Sequence, residues 1–524
     1  MTTLASRHRH EGTTPPDAGG FPSLALGLVA GLVVLSLLYP FLLYERGVGA
    51  SLSATSTTLF WIHVTLAALG LFTAVACRSL AFLSVQLFNW FFFVVAAREQ
   101  LIFAWDPIFQ LPNIMEIGLT HFIVFDITLL ASYLTFFFLT PRALSRPIRA
   151  ERRLAPASRL YLLLTGCLLL DLALLAYFGP TLFSSRQHFT AVSGQLFPAQ
   201  LNPFFLQFIR PMLYFIPLFI LRAELARPDE PGGSRRFSIL IFSLICVIMG
   251  YLFNTPIISP RFHAGTILVG TVMLIVGPRR LSVLIAVVVV GIMVAPMFHI
   301  FRNAVVFERG ETGLSRISFE EFRSFDFDAF PNHFYGVYYV EEFGRLDGMN
   351  LLSSIFFFVP SAVWSAKLTG SGAIVVEEAV WQLRAVASPK NSAMPLTGEG
   401  ALAFGLAGVV LVAVVFAAVL RWLDAAPIPR HPAHVGFYPR AAMVVFAPIL
   451  LFFITRGALL PTTAYSTATL LALAVAALVV TRPATSVAGS ERPGAARTKR
   501  PPGARWTGVG AGGRPGRAVS ATVR

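Results

Sequence analysis

Residues 58–77, TLFWIHVTLAALGLFTAVAC, run for twenty positions without one Asp, Glu, Lys or Arg. Residues 461–480, PTTAYSTATLLALAVAALVV, do the same. A continuous apolar run of about 17–25 residues is long enough to cross a bilayer core of about 30 Å as a helix. These runs lack the alternation of in-facing and out-facing residues that a transmembrane β-barrel strand needs. They therefore predict helices in lipid.

Working outward, apolar runs of this kind recur at 21–44, 79–97, 119–139, 160–178, 204–222, 237–253, 264–277, 281–298, 401–420 and 441–457. The fold class read from them is all-α: a polytopic integral membrane protein of about 12 transmembrane helices with one large external loop. Composition agrees, since 56% of the 524 residues are hydrophobic and only 13% are charged, against about 25% charged in a soluble domain. The polar segment 1–20 reads as a cytoplasmic tail. The apolar run after it carries no small-residue cleavage site and reads as an anchor. Cys77, Cys167 and Cys246 all lie in apolar runs, which excludes a disulfide framework.

The net charge of +15 gains meaning only from its placement. Arg142, Arg146, Arg149, Arg152, Arg153 and Arg159 share one loop, Arg222, Arg227, Arg235 and Arg236 another, Arg279 and Arg280 a third, and Arg421, Arg430 and Arg440 a fourth. Such loops lie on the cytoplasmic side of a membrane. They put both termini in the cytoplasm of a multi-pass protein of the cell membrane, with 481–524 as a disordered basic tail. Basicity that orients the chain is no argument for nucleic acid. The division that follows is a tail (1–20), helices 1–9 (21–298), the external loop (299–400), helices 10–12 (401–480) and the tail. The loop contains twelve acids and eight bases between 299 and 399, so the far face is acidic. Within it 351–366, LLSSIFFFVPSAVWSA, is apolar but interrupted by Pro360, which suits an interfacial or re-entrant helix.

Charges in apolar spans are costly and are usually retained for function. Arg210 sits in FFLQFIRPMLYF, Arg261 opens the eighth run, Arg302 ends the ninth and Arg456, in FFITRGALLP, lies where the last two meet. A guanidinium never deprotonates and offers a planar fork of donors, which suits phosphate or pyrophosphate; each equally suits snorkelling to lipid headgroups. In the loop, Lys367 follows the apolar wedge, and Asn391 precedes Glu399 in GEGALAFGLAG. Lys367 fits a lipid-linked phosphate or an interfacial anchor, and Glu399 fits a substrate contact or the positive end of a helix dipole. The stretch 316–343 mixes aromatics with carboxylates, as sugar-binding surfaces do. Glu341 and Glu342 in this stretch, and His299 near Arg302, are candidate proton acceptors. Asp106, Glu116, Asp326 and Asp328 form a weak divalent-cation pattern, and the site is read without a metal or cofactor. No phosphate loop, dinucleotide fingerprint, H-E-x-x-H or G-x-S-x-G is present.

The dozen spans, the large loop late in the chain, Ser259-Pro260-Arg261 opening one span, Arg302 closing the next, and PSAVWSAK followed by Asn391 and GEGALAFGLAG resemble the Wzy-type oligosaccharide repeat-unit polymerases. The chain departs from that pattern in Leu368 after the lysine and in Leu402 and Ala403 after the glutamate. The resemblance implies a glycosyltransferase at the outer face of the cytoplasmic membrane that joins polyprenyl-pyrophosphate-linked oligosaccharides. It implies as partners a chain-length regulator and a flippase besides the bilayer itself. Arg210, Arg261, Arg302 and Glu341 are the expected catalytic residues, and Lys367, Arg456, Glu399 and Asn391 the expected substrate contacts. The related O-antigen ligases, which rely on a loop histidine, here His333, and a non-enzymatic carrier of an anionic substrate are the alternatives.

Overall fold

A computed structural model describes residues 21–43, 52–103, 105–139, 152–183, 186–196, 201–225, 233–255, 258–259, 261–276, 285, 327–359, 363–368, 370–384, 393–426, 439–457 and 459–483. Arg302, Asn391, His299 and the predicted span 281–298 apart from residue 285 lie outside them, as do 1–20 and 484–524, whereas Thr481–Pro483, the first three residues of the tail expected to be disordered, form a strand. The described chain is helical save for one short pair of strands, and its helices follow the apolar runs. In order they are α1 (Phe21–Leu43), α2 (Ala54–Ala76), α3 (Leu80–Ile102), α4 (Pro112–Leu139), α5 (Ala157–Phe178), α6 (Arg186–Leu196), α7 (Phe205–Leu225), α8 (Gly233–Leu252), α9 (Arg261–Val276), α10 (Ala329–Phe343), α11 (Met349–Ile355), α12 (371–384), α13 (Leu396–Phe404), α14 (Leu406–Asp424), α15 (Pro439–Arg456) and α16 (Leu459–Val480).

Among the described residues eight helices are long and apolar enough to cross a membrane: α2, α3, α4, α5 (which continues to Phe183), α7, α8, α14 and α16. The bent α15 makes a ninth; its halves meet at 54° around Pro448, which cannot donate to the preceding turn. The described side chains of α1 and α9 cover only the shorter apolar stretches Leu24–Leu37 and His263–Val276. An all-α membrane protein is thus observed, with eight or nine of the twelve expected spans. The span expected at 401 starts instead at Leu406, because the apolar run is broken at Gly405 (φ +63°), a left-handed conformation that favours glycine. The chain folds back there so tightly that a Cβ on Gly400 would stand 2.7 Å from Gly408 O. The glycines of GEGALAFGLAG build this turn.

Two ends of the bundle can be told apart. Strand β1 (Arg152–Leu154) pairs antiparallel with β2 (Thr481–Pro483), so the start of α5 and the end of α16 share one end. Ser79, whose side chain caps α3, and Tyr133 both donate to Asp424 at that end. Basic residues gather there, namely Arg152, Arg153, Arg222, Arg421, Arg440 and Arg482. The opposite end receives the close of α5, where Phe178 stacks near Phe189 and Phe205, and with them the start of α7. The start of α16 lies at the same end. Helices α10 to α13 cover this loop end: Gln100 near the end of α3 donates to Phe327 O at 2.9 Å, and Tyr335 donates to Asp106 at 2.6 Å.

The core is aromatic. Phe88, Phe92, Phe93, Phe122, Phe330 and Phe334 form one edge-to-face and stacked set that joins α3, α4 and α10. Helix α3 is 94% buried along its most apolar stretch and α8 only 22%, so α3 is packed on all sides by protein while α8 presents its apolar face outward.

Candidate functional site

Arg210 follows a π-helical turn, Phe205–Ile209, and such turns re-aim side chains at functional sites. The residue is 1% exposed, with its guanidinium carbon 5.9 Å from the Phe189 ring centre. Its carbonyl accepts from Asn254 Nδ2 at 3.1 Å, and the same amide donates to Gly250 O at 2.7 Å. With the amide nitrogen engaged, Asn254 Oδ1 receives His263 Nε2–H at 3.2 Å. This chain of contacts ties the start of α7, the end of α8 and the start of α9. At the other end of the same helices Arg222 donates to Leu274 O. Gly250 permits the close approach, since a Cβ there would come 2.8 Å from Leu213 O. Arg261, the first residue of α9, is thereby brought to the same end as Arg210.

Arg456 ends α15 at this loop end as well. Its guanidinium lies 5.7 Å from the Phe92 ring centre, on the π-helical turn Phe91–Val95 of α3, and 3.6 Å from Asp328 Oδ1. Positions 210, 261 and 456, three of the four predicted arginines, therefore lie toward one end of the bundle, and Arg456 meets the residue that precedes α10.

The loop residues are placed differently. Glu399 is buried in α13 and accepts from Ser371 Oγ at 2.5 Å, from Leu459 N–H at 2.7 Å and from Asn350 Nδ2 at 2.8 Å. Burial pushes its carboxyl up, against the pull of these donors. It joins α11, α12, α13 and α16 as a structural hub. Lys367 Nζ donates to Phe357 O at 2.6 Å and Val359 O at 2.8 Å, so its ammonium is spent on the wedge itself. Glu341 is exposed toward the end of α10, thirteen residues after Asp328, which Arg456 meets. His333, by contrast, is fully buried between α4 and α13: its Nε2–H donates to Gly118 O at 3.2 Å and its Nδ1 accepts from Thr397 at 3.3 Å. Burial, and then the neighbouring His121, hold this imidazole well below its usual range. Among the described residues no group of three His, Cys, Asp or Glu is arranged to hold a metal ion.

One constellation went unread in the sequence. His63 Nδ1 lies 2.7 Å from Asp126 Oδ2, Asn89 Nδ2 donates to Asp126 Oδ1 at 3.2 Å, and His63 Nε2–H donates to Phe93 O at 3.1 Å. Phe93 lies in the π-helical turn Phe91–Val95. The contact gives each of the two buried polar side chains a partner, which is what such groups need inside apolar helices. The signal was present: a His and an Asp interrupt FWIHVTL and HFIVFDITLL, as Arg210 interrupts its own run.

The chain matches no known family profile, no characterised protein and no solved structure.

Proposed function

We propose that the chain is a membrane glycosyltransferase that polymerises polyprenyl-pyrophosphate-linked oligosaccharide repeat units at the outer face of the cytoplasmic membrane. The observation that carries this reading is the buried Arg210 at the loop end, in the same end region as the first residue of α9, Arg261, and as Arg456. Fixed guanidinium groups in a site poor in water stabilise charge that develops on a departing pyrophosphate. In the proposed step an acceptor hydroxyl oxygen bonds to the anomeric carbon of the donor. The bond from that carbon to the phosphate oxygen breaks, and the lipid pyrophosphate leaves with the electron pair. A loop carboxylate or histidine takes the hydroxyl proton; Glu341, Glu342 and His299 are the candidates, and the two glutamates stand at the other end of α10 from the Arg456–Asp328 contact. Arg302 and Asn391 belong to the proposal on the resemblance alone.

Two features weigh against the alternatives. A ligase of the related type needs an accessible loop histidine, and both ring nitrogens of His333 are engaged in the core. A carrier needs charge along a route through the bundle, whereas the arginines gather at one end. The test is Arg261→Gln in cells that supply the lipid-linked repeat unit. Polymer is expected to vanish while single units accumulate on lipid. Polymer of normal length in that variant sinks the reading.

A further inference from the structure

Helix α11 is amphipathic in the inverted sense. Its polar side chains point inward: Asn350, Ser353 and Ser354 are buried, Asn350 on Glu399 and Ser353 accepting from Leu368 N–H at 3.1 Å. Its apolar side chains point outward: Leu352, Ile355 at 61% and, in the turn that follows, Phe356 and Phe358 at 69% are exposed. A surface helix in water has the opposite arrangement. Seven residues rise about 10 Å, a third of the bilayer core, so the segment does not cross it. Its position is set by α16, a membrane-crossing helix against which it packs, and by Glu399, which binds the first N–H of that helix.

The turn after α11 would leave backbone carbonyls without partners in an apolar layer, at a cost of several kcal/mol each. Lys367, one of three lysines in the chain, donates to two of them, Phe357 O and Val359 O. Water would make that service superfluous at a solvent-facing turn; in hydrocarbon it is what allows the turn to exist. We propose that Leu352, Ile355, Phe356 and Phe358 are embedded in the acyl chains of the bilayer beside the start of α16, with Lys367 as the internal cap of this lipid-facing wedge. The inference is independent of the transferase reading, since a carrier would need the same anchor.

The test is nitroxide accessibility in the full chain, with its three cysteines replaced by alanine, reconstituted in phosphatidylcholine–phosphatidylglycerol vesicles. A label at Phe358 or Ile355 is expected to relax with oxygen and to be shielded from a water-soluble nickel complex, as a label at the outward-facing Leu162 of α5 is. Nickel accessibility equal to that of a label at the exposed Glu342 overturns the proposal. Protection from both reagents overturns it too, because the face would then be covered by protein. With Lys367→Met the label at Phe358 is expected to become accessible to nickel; an unchanged profile removes Lys367 from the wedge.

Discussion

Arg456 Nη2 lies 3.6 Å from Asp328 Oδ1, which joins the last residue of α15 to the residue that precedes α10. The side chains are 12% and 6% exposed, so the contact is shielded but not dry. Arg456→Gln and Asp328→Asn are each expected to loosen the seat of α10. Thermal unfolding in detergent of the two single variants and the double variant should give a coupling energy of about 0.5–1 kcal/mol. Strictly additive losses would mean that the two side chains act separately.

Among the described residues Glu399 meets three donors and no cation. Glu399→Ala would strand the donors of Ser371, Asn350 and Leu459 in a buried place, at about 1–3 kcal/mol for each group left unsatisfied. The expected result is a loss of about 3 kcal/mol or more in unfolding free energy, with a smaller loss for Glu399→Gln. A fully stable alanine variant that lacks only activity would turn the residue from hub into substrate contact.

Gly250 faces backbone, which cannot move aside as a side chain can. Gly250→Val is expected to force α7 and α8 apart, at about 1–3 kcal/mol, and to disturb the Asn254 bridge to Arg210. The check compares Gly250→Val with Gly166→Val, a position on α5 where a Cβ meets nothing within 4 Å. Equal losses at the two sites would refute the close-approach argument.

His333 gives the protein a pH dependence of definite sign. Its folded pKa is depressed by burial, while the unfolded chain takes up the proton near pH 6.5. Its contribution is therefore fully present above about pH 6.5 and shrinks as the pH falls below that value. The melting temperature of the purified chain should drop between about pH 8 and about pH 5, and His333→Gln should make that drop shallower. Parallel curves for the two proteins would exclude His333 as the source.

The membrane class was legible in 58–77 and 461–480 because it depends on composition alone. Arg210 was legible because a guanidinium in FFLQFIRPMLYF has no bland neighbour to hide among. The start of α14 was not, since the run from Ala401 stays apolar through the turn at Gly405 and hydropathy is blind to φ. Glu399 and Lys367 were noticed for their charge, but their partners come from positions 350, 371 and 459 and from two backbone carbonyls, which no local pattern announces. His63 and Asp126 stand 63 residues apart on two separate helices, and each alone is a single polar residue in an apolar run, so only the packing of α2 on α4 pairs them.

The bond from Leu459 N–H to Glu399 also orders events in time. A ribosome delivers Glu399 sixty residues before its last donor, so until α16 enters the bilayer the carboxylate that joins α11, α12 and α13 has Asn350 and Ser371 but lacks its third donor. The seat that Glu399 makes for α11, α12 and α13 is therefore completed only when the last membrane-crossing helix arrives. A half-made chain is left with an oriented bundle of helices and an unfinished crown.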